Sequence, residues 1–301
     1  MSTDSSIQHY LEQKTALIEA ELAESLPEIW NIPDSLRESM MYSLMAGGKR
    51  LRPILVLTAV EALKGSIEEA IPVALAVEMI HTYSLIHDDL PAMDNDDYRR
   101  GKLTNHKVYG EAMAILAGDG LLTHAFYSIV QAYRAYGVPA ETIVEIVEDL
   151  SRLAGAPGMV GGQAADMLGE QGITGLEQLE YIHLHKTSDL IVFSLKAGGH
   201  LGGATPKQLQ ALEKFGQHIG LAFQIQDDIL DVIGDEEKLG KPVKSDEKQQ
   251  KVTYPYFVGI EASKEKVVQL TEQGKQALID ADFPYVDRLL QLADYLIQRD
   301  H

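Results

Sequence analysis

The sequence predicts an all-α protein that folds as one domain over residues 1–301. Apolar residues recur at intervals of three and four along most of the chain, which is the spacing of one face of a helix. No alternation of apolar and polar residues is long enough to favour a sheet. No Pro-, Gly- or Ser-rich linker divides the 301 residues, and a chain of this length can bury a large core in a single domain.

Two breaks divide the predicted helices of the N-terminal third. Pro27 and Pro33 bracket the first break, and Gly47-Gly48 marks the second, because these residues interrupt helical hydrogen bonding or terminate helices. The helix that follows the glycines is apolar almost all round, so we expect it to be buried. The predicted helices run from about Ile7 to Leu22, Asp34 to Gly47, Ile54 to Leu63, and Ser66 to Asp88.

The rest of the chain continues the helical pattern. Two segments are predicted as loops, Lys102–Gly110 and Gly234–Val252, and the charged composition of the second suggests a mobile lid. Gln163 and Asp166, near the start of a further helix, are interpreted as supporting polar groups. The remaining helices are expected from about Glu111 to Arg134, Glu141 to Ala154, Leu176 to Ala197, Thr205 to Val232, Ser263 to Asp280, and Tyr285 to Arg299.

The charge and the cysteine content exclude several functions. With 45 acidic and 26 basic residues the net charge is −19, which argues against nucleic acid or an anionic membrane as a partner. The chain has no cysteine, so disulfides, thiol chemistry and cysteine-based zinc sites are excluded. We expect a cytoplasmic protein without stable membrane insertion. The N-terminus has no signal-like pattern, and no stretch approaches ~20 uninterrupted apolar residues.

A first cluster of aspartates ends the apolar helix at Asp88. Asp88, Asp89 and Asp94 are followed by Arg99 and Arg100. Clustered carboxylates repel one another unless cations neutralise them, and a few carboxylates with substrate phosphates suit Mg²⁺. Arginines can grip a phosphate bidentately. The cluster therefore predicts a diphosphate held through Mg²⁺, although taken alone it would more often be a solvated helix end.

A second cluster favours a site over a solvated face. Asp227, Asp228 and Asp231 also follow an apolar run. Asp227 and Asp231 are four residues apart, so they share one helix face about a turn apart. Their neighbours are predicted to be core residues, where carboxylates without a neutralising partner are costly.

Together, DDLPAMD (88–94) and DDILD (227–231) resemble the two aspartate-rich motifs of the trans-isoprenyl diphosphate synthases, most closely those of the bacterial farnesyl diphosphate synthases. The similarity runs from GGKRLRP (47–53) to the end of the chain. The resemblance implies a helical bundle around a central cavity, the isoprenoid synthase fold. It also implies small-molecule diphosphate substrates, several Mg²⁺ ions that bridge the two motifs, and a homodimer.

The resemblance also implies a role for individual residues. Those that match the isopentenyl diphosphate site are Lys49, Arg52, His81 and Arg100. Those that match the allylic diphosphate site are Arg99 and Lys186, with Lys241 as the phosphate contact of the lid. Thr187 and Gln224 would face the allylic cation. The implied metal ligands are Asp88, Asp89, Asp94, Asp227, Asp228 and Asp231.

Tyr83 is the residue from which we predict the product length. It lies five residues before Asp88, about 7.5 Å along the helix axis. A ring that enters the cavity there would stop elongation at fifteen carbons, whereas an ordinary core tyrosine would not. The alternative is a geranylgeranyl diphosphate synthase with a deeper cavity.

Two other classes have to be considered: a terpene cyclase and a non-catalytic partner subunit of a prenyl synthase. The complete set of residues that match the isopentenyl diphosphate site, and the second motif in DDxxD form, argue against a cyclase. A partner subunit would be expected to have lost some of the acids or basic contacts, and none of them is missing here. The sequence leaves open whether Arg299-Asp300-His301 closes over the site.

Overall fold

The computed structural model describes residues 3–169, 175–233 and 252–297. Within these ranges the chain is helical apart from turns, loops and one short antiparallel ribbon, so the predicted all-α fold is confirmed. Lys241, most of the predicted lid, and Arg299-Asp300-His301 lie outside the described residues.

The N-terminal half contains eight of the described helices and both strands of the ribbon. They are α1 (Thr3–Ala23), α2 (Asp34–Leu44), α3 (Leu51–Ala62), α4 (Ile67–Asp88), β1 (Tyr98–Arg99), β2 (Lys102–Leu103), α5 (Asn105–Tyr109), α6 (Glu111–Tyr136), α7 (Ala140–Leu153) and α8 (Met159–Gly169). The ribbon pairs Tyr98 with Leu103 and Arg99 with Lys102. The predicted loop Lys102–Gly110 was therefore wrong in part, because it contains β2 and α5.

The C-terminal half is also helical, and one of its helices is irregular. Its elements are α9 (Leu176–Ile182), a π-helical segment (His183–Ser188), α10 (Asp189–Leu201), α11 (Pro206–Ile233), α12 (Tyr254–Val258), α13 (Ile260–Ile279) and α14 (Asp287–Ile297). The single helix predicted from Leu176 to Ala197 was wrong in this respect, since the π-helical segment interrupts it.

Helix α4 lies at the centre of the fold. Ser66 caps its first turn by accepting a hydrogen bond from the backbone N–H of Glu69 at 3.3 Å. The negative charges of Glu68 and Glu69 in that turn interact favourably with the positive end of the helix dipole. Most of its residues are buried, and it packs chiefly against α6 and α3. Because α4 is fixed on several sides, the aspartates at its C-terminus are held on a rigid element.

Three apolar clusters make up the core. The largest joins α4 to α6, α7 and α10, with Met79, Ile80 and Leu121 fully buried. The second packs α3, α10, α11 and α14 together around Phe215, and the third joins α11 to α9, α12 and α13. Each fully buried side chain of this size contributes about 1.5–3 kcal/mol, so the clusters are the main source of stability.

Two of the described helices are long and apolar enough, by length and composition, to cross a membrane. In α4, 78% of the apolar window is buried inside the protein, and in α6 the buried share is 44%. Burial of that kind makes α4 a core helix of a folded domain. The apolar window of α6 leaves more than half of its residues unburied.

Candidate active site

The first aspartate motif begins where α4 ends. After Asp88 the chain turns sharply, and the backbone N–H of Asp94 donates to the carbonyl oxygen of Asp88 at 2.9 Å. The expected disruption near Pro91 thus brings the start and the end of the motif close together. Two carboxylates that a continuous helix would point to different faces now belong to one turn.

Asp89 is buried and holds an arginine in place. The Arg99 guanidinium donates from Nε to Asp89 Oδ1 at 2.7 Å and forms an ion pair with it through Nη2 at 2.5 Å. Burial raises the pKa of the Asp89 carboxyl, although the bond from Arg99 acts against that shift. The β-ribbon carries Arg99, so the Asp89–Arg99 pair fixes the ribbon against the end of α4.

Asp88 accepts a hydrogen bond from a side chain of α8 and lies near a lysine of the π-helical segment. The amide of Gln163 donates to Asp88 Oδ1. Lys186 Nζ lies 3.9 Å from Asp88 Oδ2 and donates to Asp166 Oδ2 at 2.7 Å. Gln163 and Asp166 therefore hold Asp88 and Lys186 next to each other, as expected of supporting polar groups.

His81 and Arg52, both half-buried, belong to the predicted isopentenyl site. They come from α4 and α3, and Arg52 Nη1 lies 3.3 Å from His81 Nε2. Because arginine only donates, His81 Nε2 must accept, which places the imidazole proton on Nδ1. Burial, and then the charges of Arg52 and Arg100, hold the pKa of His81 well below its usual value. Burial lowers the pKa of Arg52 to about 10, so this guanidinium stays charged at neutral pH.

The glycine pair seats the second arginine of the ribbon. Gly47 and Gly48 have φ of 86° and 122°, a backbone conformation that favours glycine. Arg100 donates from Nη1 to the Gly47 carbonyl, and a Cβ at position 48 would lie 2.5 Å from Arg100 Cζ. Lys49 is exposed beside this seat. The turn 47–52 and the ribbon thus form a basic pocket of two adjoining parts: Arg52 lines the cavity described next, whereas Arg99 and Arg100 line a second cavity, which shares Leu85 with the first.

A cavity of about 300 Å³ joins the basic pocket to the first motif. Tyr83 lines it, is 7% exposed, and packs its ring edge-on against His87 with the centroids 5.8 Å apart. Burial raises the pKa of Tyr83. The full lining is Arg52, His81, Tyr83, Ser84, Leu85, His87, Asp88, Met93, Met159, Val160, Gln163, Lys186 and Thr187.

The second motif lies on α11, outside the lining of this cavity. Asp228 is 9% exposed, and its Oδ2 accepts from the backbone N–H of Tyr254 at 2.7 Å and contacts His183 Nε2 at 3.1 Å. Asp231 is buried, whereas Asp227 and Gln224 are half-buried. Asp228 therefore connects α11 to the π-helical segment and to α12.

Several residues of the site were not predicted from the sequence. His87 lies one helical turn after Tyr83 and lines the same cavity, so the i, i+4 spacing could have indicated it. His183 contacts Asp228 from 45 residues away, and no local pattern in the sequence signals that pairing.

The carboxylates suit a divalent cation that is shared with a substrate. In the described part of the chain, no three His, Asp or Glu side chains converge to hold a metal ion by themselves. Mg²⁺ usually takes one or two carboxylates and completes its shell with water and phosphate oxygens. Hard oxygen donors at the end of α4 and on α11 therefore fit Mg²⁺ that binds together with a diphosphate.

Comparisons with known proteins are consistent with this geometry. Residues 33–282 match the family model described as polyprenyl synthetase. A farnesyl diphosphate synthase of Geobacillus stearothermophilus is 48% identical over 98% of this chain and 99% of its own. A geranylgeranyl diphosphate synthase of Cyanophora paradoxa is 45% identical over 100% of this chain and 99% of its own. The crystal structure of geranylgeranyl pyrophosphate synthetase from Pyrococcus horikoshii Ot3 aligns with a TM-score of 0.88, at 32% identity, over 99% of this chain and 100% of that one.

Proposed function

We propose that this chain, which belongs to the polyprenyl synthetase family, is a prenyltransferase that makes farnesyl diphosphate. It would condense isopentenyl diphosphate head-to-tail with dimethylallyl diphosphate and then with geranyl diphosphate. The observation that carries the proposal is the single cavity whose lining includes Arg52 and His81 at one part and Asp88, Lys186 and Thr187 at another. These residues suit two diphosphates bound side by side.

The basic pocket would bind the isopentenyl substrate. Lys49, Arg52 and Arg100 supply the positive charge, and neutral His81 can donate from Nδ1 because its Nε2 faces Arg52. The pocket keeps the diphosphate away from the reacting carbon, so the double bond is free to attack. Orientation of this kind lowers the barrier by removing the entropy cost of bringing two reactants together.

The aspartates would bind the allylic diphosphate through metal ions. We propose Asp88, Asp94, Asp227 and Asp231 as the residues that hold Mg²⁺, with Asp89 and Asp228 as anchors, since these two carboxylates fix Arg99, His183 and the backbone of Tyr254. Bound Mg²⁺ would neutralise the charge that develops on the departing diphosphate. The same argument applies to the side chains of Arg99 and Lys186.

Departure of the diphosphate leaves an allylic carbocation in the cavity. Apolar walls such as Met93 and Met159 would keep water from reaching it. The hydroxyl of Thr187, and in our proposal the amide oxygen of Gln224, would face the positive charge. The isopentenyl double bond attacks the allylic carbon and leaves the positive charge on the isopentenyl unit. A carbon next to that charge then loses a proton to the released diphosphate, which restores a double bond, so no side-chain base is required.

The product-length proposal depends on Tyr83. Its ring lines the cavity and is supported by His87, which places a bulky group where a longer chain would extend. The second candidate is a geranylgeranyl diphosphate synthase, which is favoured by the relative of that name with 45% identity. The two candidates differ in cavity depth alone.

A homodimer is the partner that we propose. Exposed apolar residues form one stripe along α6, since Ile115 (45% exposed), Leu116 (52% exposed), Val130 and Tyr133 all fall within about 100° of the helix circumference. The stripe covers one side of α6, so it suits a second protein surface more than lipid on all sides. A second copy of the chain offers the same stripe. We propose that the dimer works in the cytoplasm.

The test is to identify the products by mass spectrometry. Purified protein receives isopentenyl and dimethylallyl diphosphates, with Mg²⁺ or with a chelator in excess. We expect a fifteen-carbon diphosphate to form when Mg²⁺ is present and no product to form with the chelator. Arg52→Met should lose most activity, while Lys264→Met, an exposed lysine on α13, should retain it. A twenty-carbon product would favour the second candidate, and no condensation at all would overturn the enzyme in favour of a partner subunit or a cyclase.

A further inference from the structure

Arg50 lies between two residues of the isopentenyl site but points away from it. Lys49 is exposed, whereas Arg50 is 2% exposed and its side chain is buried in the core. Its Nη1 donates to Glu78 Oε1 at 2.6 Å and its Nη2 to the carbonyl oxygen of Leu44 at 2.9 Å. Glu78 is also 2% exposed, and it lies on α4 three residues before His81. The reaction described above uses neither member of this ion pair.

The backbone at Arg50 needs something to hold it. Its φ of 46° is left-handed, a conformation that residues with a Cβ rarely adopt, and it is the residue that precedes α3. The left-handed turn directs Arg50 inward and leaves Arg52, two residues later, to line the cavity. The hydrogen bonds to Glu78 and Leu44 stabilise this conformation, so the turn would relax more easily without them.

Glu78 is also a negative charge among three positive ones. Arg50, Arg52 and Arg100 repel one another, and Glu78 acts to raise the pKa of both Arg52 and Arg100. An ion pair this deeply buried gives little or no more stability than an apolar pair of the same volume, because both charges lose their hydration. Stability is therefore a weak reason for its presence at this place.

We propose that Arg50 and Glu78 are positioning residues for the isopentenyl diphosphate subsite. The pair fixes the turn 47–52, so that Lys49 and Arg52 point at the diphosphate, and it supplies the negative charge that keeps the arginines together before the substrate arrives. The proposal rests on the proposed function, since it assigns these residues to the acceptor half of that site.

The test measures binding and turnover separately. Calorimetry gives the Kd for isopentenyl diphosphate without any allylic substrate, and steady-state kinetics give the KM for geranyl diphosphate. Glu78→Gln removes the charge but keeps the shape of the side chain. We expect the Kd for isopentenyl diphosphate to rise about tenfold, the effect of one weakened charge-assisted hydrogen bond, while the KM for geranyl diphosphate changes less than about twofold.

A double variant keeps the test valid if single variants unfold. Arg50→Met/Glu78→Met removes both members of the buried pair together, and the other carboxylate near Arg50, that of Glu19 at 3.6 Å, has a side chain that is 41% exposed. We therefore expect this variant to stay folded, with a melting temperature close to that of the wild type, and still to lose affinity for isopentenyl diphosphate. The matched control is Lys14→Met/Glu61→Met, a second 2.6 Å ion pair that attaches α1 to α3 away from the site. A folded Arg50→Met/Glu78→Met variant with wild-type Kd would overturn the proposal, as would an equal loss in the control.

The two proposals can fail separately. Wild-type protein that binds isopentenyl diphosphate but forms no product would contradict the proposed function, and the Kd of each variant would still decide the role of the pair. Product formation with an unchanged Kd in the double variant would contradict the positioning role alone.

Discussion

At the scale of single residues, we propose that Tyr83 sets the length of the product. Its ring lines the cavity and contacts His87, which is itself seated on Gly118 of α6, where a Cβ would collide with the imidazole. Tyr83→Ala removes the ring and leaves a space in the cavity. His87 cannot move into that space, because it is held by a hydrogen bond to the Ile115 carbonyl at 3.1 Å. The variant should make products of twenty carbons or more.

Mass spectrometry of the products checks the role of Tyr83. Tyr285→Ala serves as the control, since Tyr285 is 60% exposed and is not among the residues that line the cavity. An unchanged fifteen-carbon product in Tyr83→Ala would mean that Tyr83 is an ordinary core residue. The floor would then have to be sought deeper between α4 and α6.

Asp149 provides a pH-dependent contribution to stability. It lies on α7 and accepts hydrogen bonds from Lys196 at 3.0 Å and from His200 at 3.1 Å, both on α10. Burial acts to raise its pKa, but those two bonds and the one from Arg152 prevail and lower the pKa to about 2. A folded-state pKa below the ordinary 3.8 means that the stabilisation is complete above about pH 4 and is lost as the pH falls towards 2.

Asp149→Asn should therefore lower the free energy of unfolding by about 2 kcal/mol or more at pH 7. The difference from wild type should shrink between about pH 4 and about pH 2, because the wild-type carboxyl becomes protonated there. Urea denaturation at several pH values measures it. Asp282→Asn, at an exposed position, is the control and should show no such trend. If the difference in the free energy of unfolding stays constant with pH, the ion pairs of Asp149 are not its cause.

A local pattern can indicate single residues where the chain itself brings them together. Lys49 and Arg52 flank one turn, and Asp88 and Asp94 share another, so short motifs describe them. The inward direction of Arg50 was not predictable, because its partner Glu78 is 28 residues away and is defined only when α3 packs against α4. The contact between His183 and Asp228 was missed for the same reason.

At the scale of elements, the π-helical segment carries Lys186 and Thr187, the residues that we propose lie beside the allylic substrate. It is packed between α8 and α11, where Gly162 and Gly220 have no room for a Cβ against Lys186 and Ser188. The Ser188 hydroxyl donates to the carbonyl oxygen of His183, five residues earlier, at 3.1 Å. Insertions of this kind are frequent at functional sites, because they change the direction of a few side chains without ending the helix.

Deleting Leu184 should convert the π-helical segment and its neighbours into one continuous α-helix. Lys186 would then turn away from Asp88 and Asp166, and we expect turnover to fall on the order of 100-fold, since a misplacement of about 1 Å can cost that much. The helix content measured by circular dichroism should stay the same. Leu184→Ala, which removes the side chain and keeps the register, should retain activity. Equal losses in both variants would contradict the positioning role.

Sequence periodicity could predict α9 and α10 but not the irregular turn between them. Leu179, Ile182 and Leu190 follow the helical spacing, which is why one helix was expected. The extra residue of a π turn changes that spacing by less than the width of an apolar face. What selects the π turn is the fit against Gly162 and Gly220, two contacts made only in the folded protein.

At the scale of the whole molecule, the acidic charge must be reconciled with two anionic substrates and with the second subunit that we propose. A net charge of −19 repels diphosphates at long range, so we expect binding to depend on the local field of Lys49, Arg52, Arg99 and Arg100 together with divalent ions. Two copies of the chain also repel each other. We therefore expect a dimer to be held by the apolar stripe of α6 rather than by attraction between charges.

The stripe on α6 can be tested by placing a charge within it, at its most exposed residue. Leu116→Glu introduces two carboxylates into a twofold interface, one from each copy, and burying them without a cation costs several kcal/mol. We expect the wild-type protein to sediment as a dimer and the variant as a monomer at the same concentration. Val268→Glu, at an exposed valine on α13, should leave the dimer intact.

The salt dependence separates this explanation from its alternatives. Because the net charges of the two copies repel, raising NaCl from about 50 mM to about 500 mM should tighten the wild-type dimer, as screening shortens the range of the repulsion. A dimer that weakens with salt would be held by ion pairs elsewhere on the surface. A monomer at every salt concentration would mean that the stripe on α6 meets some other apolar surface.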